Sequence, residues 1–263
     1  MQPDYRNWVP RGMVLGLGAA AGVLAAGNAA AFRPWLPLGR AVRSAAGTVL
    51  ALGAVGCLAG AAWSLYARGM FSYKGGRQLS RQIVEGVAAH VQLPSDGVGL
   101  DVGCGSGALT IACARRNPRG RMVGIDRWGA EYASYSQKLC EQNARAEGVH
   151  NASFQKGDAR HLDFPDETFD AVTSNYVYHN ITGVDRQKLL RETLRVLKQG
   201  GVFAIHDLME PARYGDMDAF LRTLGEEGVQ EVQLLPTADG TFMTRREGKF
   251  LFLSGSTLLV GRK

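Results

Sequence analysis

Cysteine is scarce in this chain and badly spaced for chemistry. The four residues, Cys57, Cys104, Cys113 and Cys140, never stand as C-x-x-C. That excludes the usual zinc pattern and a disulfide framework, and it fits a reduced setting with all four as small buried fillers. Acid is scarcer still at one end. Residues 1–81 hold one carboxylate, Asp4, against nine of the thirty Lys and Arg side chains. Residues 82–263 are left with 21 basic and 23 acidic side chains, so the formal charge of +6 belongs to the N-terminal region. A nucleic-acid-binding domain normally carries a cationic face; the larger part of this chain lacks the surplus for one, and no nucleic-acid partner is expected.

Charge vanishes altogether from two long runs. Residues 12–32, closed by Arg11 and Arg33, hold Asn28 as their one strongly polar member, and residues 44–67 are closed by Arg43 and Arg68. Each run is long enough to span a hydrocarbon core as a helix. Trp63 and Tyr66 sit near the end of the second, where amphipathic rings favour an interface. Small-xxx-small spacings at Gly12/Gly16, Gly18/Gly22 and Gly56/Gly60 suit close helix approach, within the pair or in a homo-oligomer. The connection 33–43 holds Pro34, Pro37, Gly39 and three arginines. Together these features predict a two-helix membrane hairpin over residues 1–68. A signal peptide cleaved near Ala29–Ala31, or weakly apolar helices lying on a surface, are the competing readings. Six basic residues flank the terminal side (Arg6, Arg11, Arg68, Lys74, Arg77, Arg81) and three lie in the loop, which favours a multi-pass protein with its catalytic domain in the cytoplasm.

Residues 69–97 read as a linker and a helix, with apolar spacing at Leu79, Ile83, Val84, Val87 and Val91. The organising stretch follows. Val98–Val102 is a short, mostly apolar run, broken by alternating glycines Gly103, Gly105 and Gly107, and continued by an apolar segment from Ala108 to about Arg116. Strand, glycine turn and helix form the first half of a nucleotide-binding α/β unit. The glycines permit a tight turn and close ligand approach, and the helix N-terminus offers free N–H groups. Dinucleotides and S-adenosylmethionine compete for such a turn. Asp101, two residues before the first glycine, would sit badly beside a pyrophosphate and suits a ligand carrying an ammonium and a sulfonium. Arg121–Asp126 reads as a second strand ending in an acid about 20 residues past the glycines, where two carboxylate oxygens can accept two ribose hydroxyls. Asp126 also suits a helix N-cap. Arg127 and Trp128 follow, where an adenine ring could rest.

The run Asp101-Val102-Gly103-Cys104-Gly105-Ser106-Gly107 resembles motif I of class I S-adenosylmethionine-dependent methyltransferases, and the resemblance extends over about residues 70–263. Gly157-Asp158-Ala159 resembles that family's G-D-A signature. There the acid accepts from the adenine amino group and the next N–H reaches a ring nitrogen, roles the resemblance gives to Asp158 and Ala159. Ser174–Ile181 resembles the S-N-x-x-x-H-x-I stretch of the type 11 small-molecule group. The family's segment before motif I often covers the cofactor, a place for Tyr73; an interfacial anchor is the other reading of that residue. The fold implied is α/β: a Rossmann-like seven-stranded sheet over 98–263, closed by antiparallel strands near Val229–Leu235 and Ser256–Arg262. That strand pair separates it from a six-stranded parallel dehydrogenase domain.

Methyl transfer from a sulfonium is an in-line displacement that needs alignment and exclusion of water, so no metal is expected. A general base is needed for a hydroxyl, enol-like or ammonium acceptor. His179, His206 and Tyr176 are the candidates, with His179 preferred, and Asn175 is assigned to cofactor contact or pocket shape. Gly200-Gly201 reads as a turn before a strand at Val202–His206, which puts His206 and Asp207 at the same rim as the active site. Met243–Leu253, basic beside apolar, reads either as a lipid-headgroup contact or as a loop plus part of a strand. The hairpin points to a lipid-soluble acceptor. A nicotinamide-dependent oxidoreductase and a catalytically silent methyltransferase-like membrane scaffold are the alternatives.

Overall fold

The computed structural model describes residues 2–33, 39–129 and 134–263. It divides into two compact units, Asn7–Ser80 and Met1–Arg6 with Arg81–Lys263.

The first unit holds two helices, α1 (Arg11–Ala31) and α2 (Arg40–Met70). Only 6% and 11% of their most apolar windows are buried, so neither resembles the core helix of a soluble domain. The two pack through glycines, though mostly not those the spacing suggested. Gly27 meets Leu50, Gly53 meets Leu24 and Gly60 meets Leu17, while a Cβ on Gly47 would lie 2.5 Å from the Phe32 ring. Gly12, Gly16, Gly18, Gly22 and Gly56 have open space where a Cβ would stand. Pro34 and Pro37, expected in the connection, lie outside the described residues. At the other end, Asn7 donates to the Arg68 carbonyl (2.8 Å) and the Arg68 guanidinium donates to the Val9 carbonyl (2.6 Å). The Trp8 and Phe71 rings stand 5.0 Å apart beside them.

The helix before the sheet, α3, is Leu79–Ala88. The second unit is then built on seven strands, β1 (Val98–Val102), β2 (Arg121–Asp126), β3 (Ala152–Lys156), β4 (Phe169–Asn175), β5 (Leu197–Leu208), β6 (Gln230–Pro236) and β7 (Ser256–Arg262). Their order is β3-β2-β1-β4-β5-β7-β6. The first five pair in parallel, and β7 is antiparallel to both β5 and β6. This is the closing arrangement expected from the sequence. Near-continuous burial along β1, β4 and the second half of β5 fits strands covered on both faces. Leu100, Val102, Ile125, Val172, Phe203, Ile205 and Leu259 form the centre of the core.

The covering helices are α4 (Ala108–Arg116), α5 (Gln137–Ala146), α6 (Arg186–Arg195), a short α7 (Pro211–Tyr214), α8 (Met217–Glu226) and α9 (Arg245–Phe250). Capping fixes several boundaries that periodicity left loose. The Ser136 side chain accepts from the Leu139 N–H and starts α5, so the helix expected over 129–147 is shorter, and residues 130–133 lie outside the described residues. Asp185 and Asp216 cap α6 and α8 in the same way. Thr244 and Glu247 form a reciprocal capping box, which makes the stretch after Met243 a helix rather than the loop and part-strand expected there. The Gly200-Gly201 turn falls inside β5. Pairing to β4 jumps from Phe169↔Leu197 to Ala171↔Val202, and Gly200 takes φ +75° within that bulge.

Register places the functional rim. Val102 lies opposite both Ile125 and Ser174, and Asn175 lies opposite His206, so β1, β2, β4 and β5 end on one side. Three of those ends then turn through left-handed residues: Gly103 (φ +74°), Trp128 (φ +43°) and Tyr176 (φ +55°). Gly105 and Gly107 extend the left-handed turn after β1, at φ +55° and +82°. At Gly107 a Cβ would also stand 2.9 Å from the Phe154 ring. Gly107→Ala is therefore expected to cost about 1–3 kcal/mol of stability, because it adds backbone strain to a close contact. Urea unfolding followed by tryptophan fluorescence measures this.

Candidate functional site

The turn after β1 hangs from one carbonyl. The N–H groups of Gly103 and Cys104 both donate to the Ile125 oxygen, at 2.8 and 2.9 Å. The Gly105 N–H donates to one oxygen of Asp126 (2.9 Å), and the Trp128 N–H donates to the other (2.8 Å). The Trp128 indole N–H returns to the Gly105 carbonyl at 2.9 Å. Asp126 thus lashes the ends of β1 and β2 together with one accepted bond per oxygen, which leaves each oxygen a further lone pair. A Cβ at Gly105 would meet nothing within 4 Å, so the elbow opens there into space.

Asp101 lies behind this elbow. Its side chain is 1% exposed, and it accepts from the hydroxyls of Thr110 (2.6 Å) on α4 and Thr173 (3.0 Å) on β4. Burial raises its pKa to about 6, partly offset by the two hydroxyls. Its carboxylate braces the strand–turn–helix junction from within. Asp158, half-buried after β3, accepts a two-point contact from Arg160, with Arg127 4.0 Å away. Those guanidinium contacts, Arg160 first, hold its pKa down. Ala159 beside it is buried.

The stretch after β4 folds against the elbow: a Cβ on Gly103 would lie 2.4 Å from Val177. Two residues on, His179 meets Asp207 at the end of β5. The His179 Nδ1 lies 2.5 Å from one Asp207 oxygen, and the His179 backbone N–H donates to the other at 3.1 Å. Asp207 also accepts from the Leu208 N–H (2.7 Å) and the Tyr214 hydroxyl (2.9 Å). Burial pushes this carboxyl up, but His179 and the other donors outweigh burial and hold it below the usual carboxylate range. An ionised carboxylate only accepts, so Nδ1 of His179 carries the proton and Nε2 is the basic nitrogen. The His179 side chain keeps 16% of its surface exposed, against 1% for Asp207.

The other two base candidates are placed differently. His206 is fully buried, with Nδ1 2.8 Å from Asn175 Oδ1 and Nε2 2.8 Å from the Thr237 hydroxyl. Burial lowers its pKa to about 3. It is a neutral bridge between β4 and the segment after β6, with both ring nitrogens engaged, and it corrects the expectation of a base there. The same contact ties Asn175 to the sheet end. The Tyr176 hydroxyl bonds Ser256 at 2.6 Å, and burial raises its pKa well above the usual phenol value. Its ring stands 4.6 Å from His206 and 6.1 Å from His179, so it packs between the two histidines rather than serving as a base. Tyr73, expected over the cofactor, belongs to the other compact unit. Sequence reasoning placed Asp207 at this rim without a role and missed Tyr214, Thr110 and Thr173. An acid at a strand end, beside a histidine candidate, was the available signal.

Residues 100–205 match the family described as a methyltransferase domain. A demethylmenaquinone methyltransferase of Geobacillus stearothermophilus is 35% identical over 117 residues, 44% of this chain and 47% of the relative. The uncharacterized methyltransferase YcgJ of Bacillus subtilis is 34% identical over 112 residues, 43% and 41% of the two chains. The chain therefore spans less than half the length of these curated relatives. Among solved structures, the 4+2 cyclase SpnF superposes with a TM-score of 0.54 at 21% identity, over 71% of this chain and 82% of that one. Geranyl diphosphate C-methyltransferase from Streptomyces coelicolor, solved with geranyl diphosphate and S-adenosyl-L-homocysteine, gives 0.52 at 17% identity, over 70% and 79%. These two likenesses are of fold.

The buried, neutral state of His206 has a consequence for acid stability. Its folded value lies below its unfolded value near 6.5, so the unfolded chain takes up the proton first as pH falls. Stability is then lost progressively from about pH 6.5 towards 3, by an amount on the order of a few kcal/mol. His206→Gln keeps a donor and an acceptor but does not titrate. Its urea midpoint is expected to fall less steeply between pH 7 and 4 than that of the unaltered protein. The sheet order, the glycine elbow and the match agree that residues 100–205 carry the fold of the methyltransferase domain family.

Proposed function

We propose that this protein is a membrane-anchored, S-adenosylmethionine-dependent methyltransferase acting on a small, lipid-soluble acceptor. The observation that carries the reading is the His179–Asp207 pair, a tethered imidazole two residues past the chain that packs on the glycine elbow. The donor set fits the cofactor. The elbow opens at Gly105, Asp126 retains lone pairs at the end of β2, and Asp101 lies behind the turn. Asp101 and Asp126 set two carboxylates about the glycine turn, a charge pattern suited to a cationic nucleoside rather than a pyrophosphate, while the Arg160 guanidinium pairs with Asp158. When bound, S-adenosylmethionine supplies a methyl group already activated on its sulfonium. This chain's residues would hold and align: the elbow would run close along the ligand where it opens at Gly105, Asp126 takes the ribose hydroxyls, and Asp158 with the Ala159 N–H takes the adenine edge. Asn175 shapes the wall beside them, and Tyr73 is the proposed cover.

His179 would accept the acceptor's proton at Nε2. Asp207 keeps the proton on Nδ1 and stabilises the imidazolium once it forms. Tyr214 and the Leu208 N–H hold Asp207 for that task.

Two supports favour a lipid-soluble acceptor. The relatives at 33–35% identity include several named demethylmenaquinone methyltransferases, whose named substrate is a quinone precursor. The second is topology. Residues 1–6 belong to the same compact unit as 81–263, with α1 and α2 between them. A single crossing would put Tyr5 and its partner Ser106 on opposite sides of a bilayer, so α1 and α2 must cross together or not at all. Their outward-facing apolar length favours crossing. Basic residues on the terminal side favour a cytoplasmic catalytic domain.

The test is methyl transfer from labelled donor into membrane extract and cytosolic extract, with the unaltered protein and with His179→Ala. Label is expected in an apolar fraction. The substitution is expected to lower turnover about 10²–10⁴-fold with donor affinity unchanged. Label in soluble metabolites alone would reject the lipid acceptor, and unchanged turnover would reject His179 as base.

A further inference from the structure

Residues 2–6 lie far in sequence from the elbow, yet they pack against it. Asn143 on α5 is 2% exposed and joins the two. Its Oδ1 accepts from the Asp4 N–H (2.7 Å), and its Nδ2 donates to both the Asp4 carbonyl (3.0 Å) and the Ser106 carbonyl (3.0 Å). The amide thus pairs with Asp4 as a neighbouring strand would, and uses its remaining donor on the elbow. Ser106, 7% exposed, donates its hydroxyl to the Tyr5 carbonyl at 3.0 Å. Tyr5 is 6% exposed, and its hydroxyl donates to Glu147 (3.3 Å), which pairs with Arg115 of α4 (3.1 Å). Arg115 in turn reaches Glu85 of α3.

We propose that residues 2–6 form a positioning strap for the donor-binding elbow, with Asn143 and Ser106 as the positioning residues through which it acts. The inference rests on the reading that the elbow holds the methyl donor. Three left-handed glycines in five residues make Gly103–Gly107 costly to order. The side facing the ligand must stay open, so order has to come from behind. Ile125 and Asp126 hold the first half of the turn by its N–H groups, and Trp128 holds the Gly105 carbonyl. The Ser106 carbonyl is held by Asn143, whose orientation Asp4 fixes. With the strap gone, buried Asn143 and Ser106 lose three bonds, and Asn143 is free to turn away from the elbow. Six residues after Tyr5 the first apolar helix begins. The strap therefore makes the elbow's order depend on an N-terminus that the hairpin itself carries.

The experiment uses the full chain in lipid nanodiscs, comparing the unaltered protein with deletion of residues 2–6, Asn143→Ala and Ser106→Ala. Without ligand, amides of Gly103–Ala108 are expected to exchange about tenfold faster in the variants, with β5 unaffected. The dissociation constant for S-adenosylhomocysteine and the KM for donor are expected to rise about 5- to 30-fold, the loss of one or two hydrogen bonds, with kcat at saturating donor unchanged in the deletion variant and in Asn143→Ala. A synthetic peptide of residues 1–7 added to the deletion variant is expected to restore slow exchange. Unchanged elbow exchange in the deletion variant overturns the strap. Faster exchange throughout, β5 included, would mean loss of fold; Ser106→Ala then decides, and an unchanged elbow there overturns it. Failure of the unaltered protein to bind S-adenosylhomocysteine would refute the donor reading, while the ligand-free exchange still judges the strap.

Discussion

Parallel register is the constraint on which everything else depends. Because Val102 pairs with Ile125 on one side and Ser174 on the other, three chains leave the sheet at the same level and must turn within a few ångströms of one another. Each exit takes a left-handed residue, and two of the three, Trp128 and Tyr176, are large aromatics for which that conformation is strained. Both are held by bonds that span the rim. Trp128 is fixed to Asp126 and Gly105, and Tyr176 to Ser256 with its N–H on the His206 carbonyl. This part of the backbone strain therefore lies where a ligand would meet the sheet, and the bonds across the rim hold it there.

Beneath that rim lie three buried titratable groups in different states. Asp101 is raised to about 6, His206 is held neutral, and Asp207 stays ionised. The difference follows from donor count rather than depth. Asp101 has two hydroxyl donors, whereas Asp207 has four donors, one of them an imidazole that gains from the charge. His206, bonded between an amide oxygen and a hydroxyl, has nothing that favours its cation strongly enough to offset burial. Of two histidines at adjacent strand ends, only His179 combines a tethered nitrogen with a partly exposed ring. A sequence offers both on equal terms; packing chooses between them.

That contrast marks how far the sequence could be read. The strand–glycine–helix unit and the acid ending β2 were legible because each rests on local rules, apolar runs, glycine breaks and spacing, whereas the closing antiparallel strands were expected only from the family resemblance. The β5 bulge at Gly200 was legible as a turn but not as part of a strand, since only its partner β4 shows that pairing resumes after it. Long-range pairing was not legible at all. Nothing local in Asp207 announces His179, 28 residues earlier, and nothing in Ser106 announces Tyr5, 101 residues earlier. In the hairpin the reverse error occurred. Small-xxx-small spacing marked Gly12, Gly16, Gly18 and Gly22, but α1 meets α2 through Gly27 and through Leu24 and Leu17 set against Gly53 and Gly60. Spacing shows that a stripe of small residues exists, and only the partner helix shows which stripe is used.

The N-terminal residues bring the two halves of the chain under one constraint. Residues 2–6 belong to the fold of the sheet unit rather than to the apolar run that follows them. Asp4 and Tyr5 fit it: a buried asparagine is satisfied by Asp4, and a buried serine is satisfied by Tyr5. Cutting near Ala29–Ala31 would strip both and leave desolvated polar groups under the glycine elbow, each costing about 1–3 kcal/mol. The same contacts require α1 and α2 to be treated as a pair, whatever surface they meet. With residues 2–6 and 81–263 in one compact unit, the chain leaves that unit before α1 and rejoins it after α2. On the proposed reading of a bilayer anchor, the basic flanks then bear only on which side that loop of chain would lie.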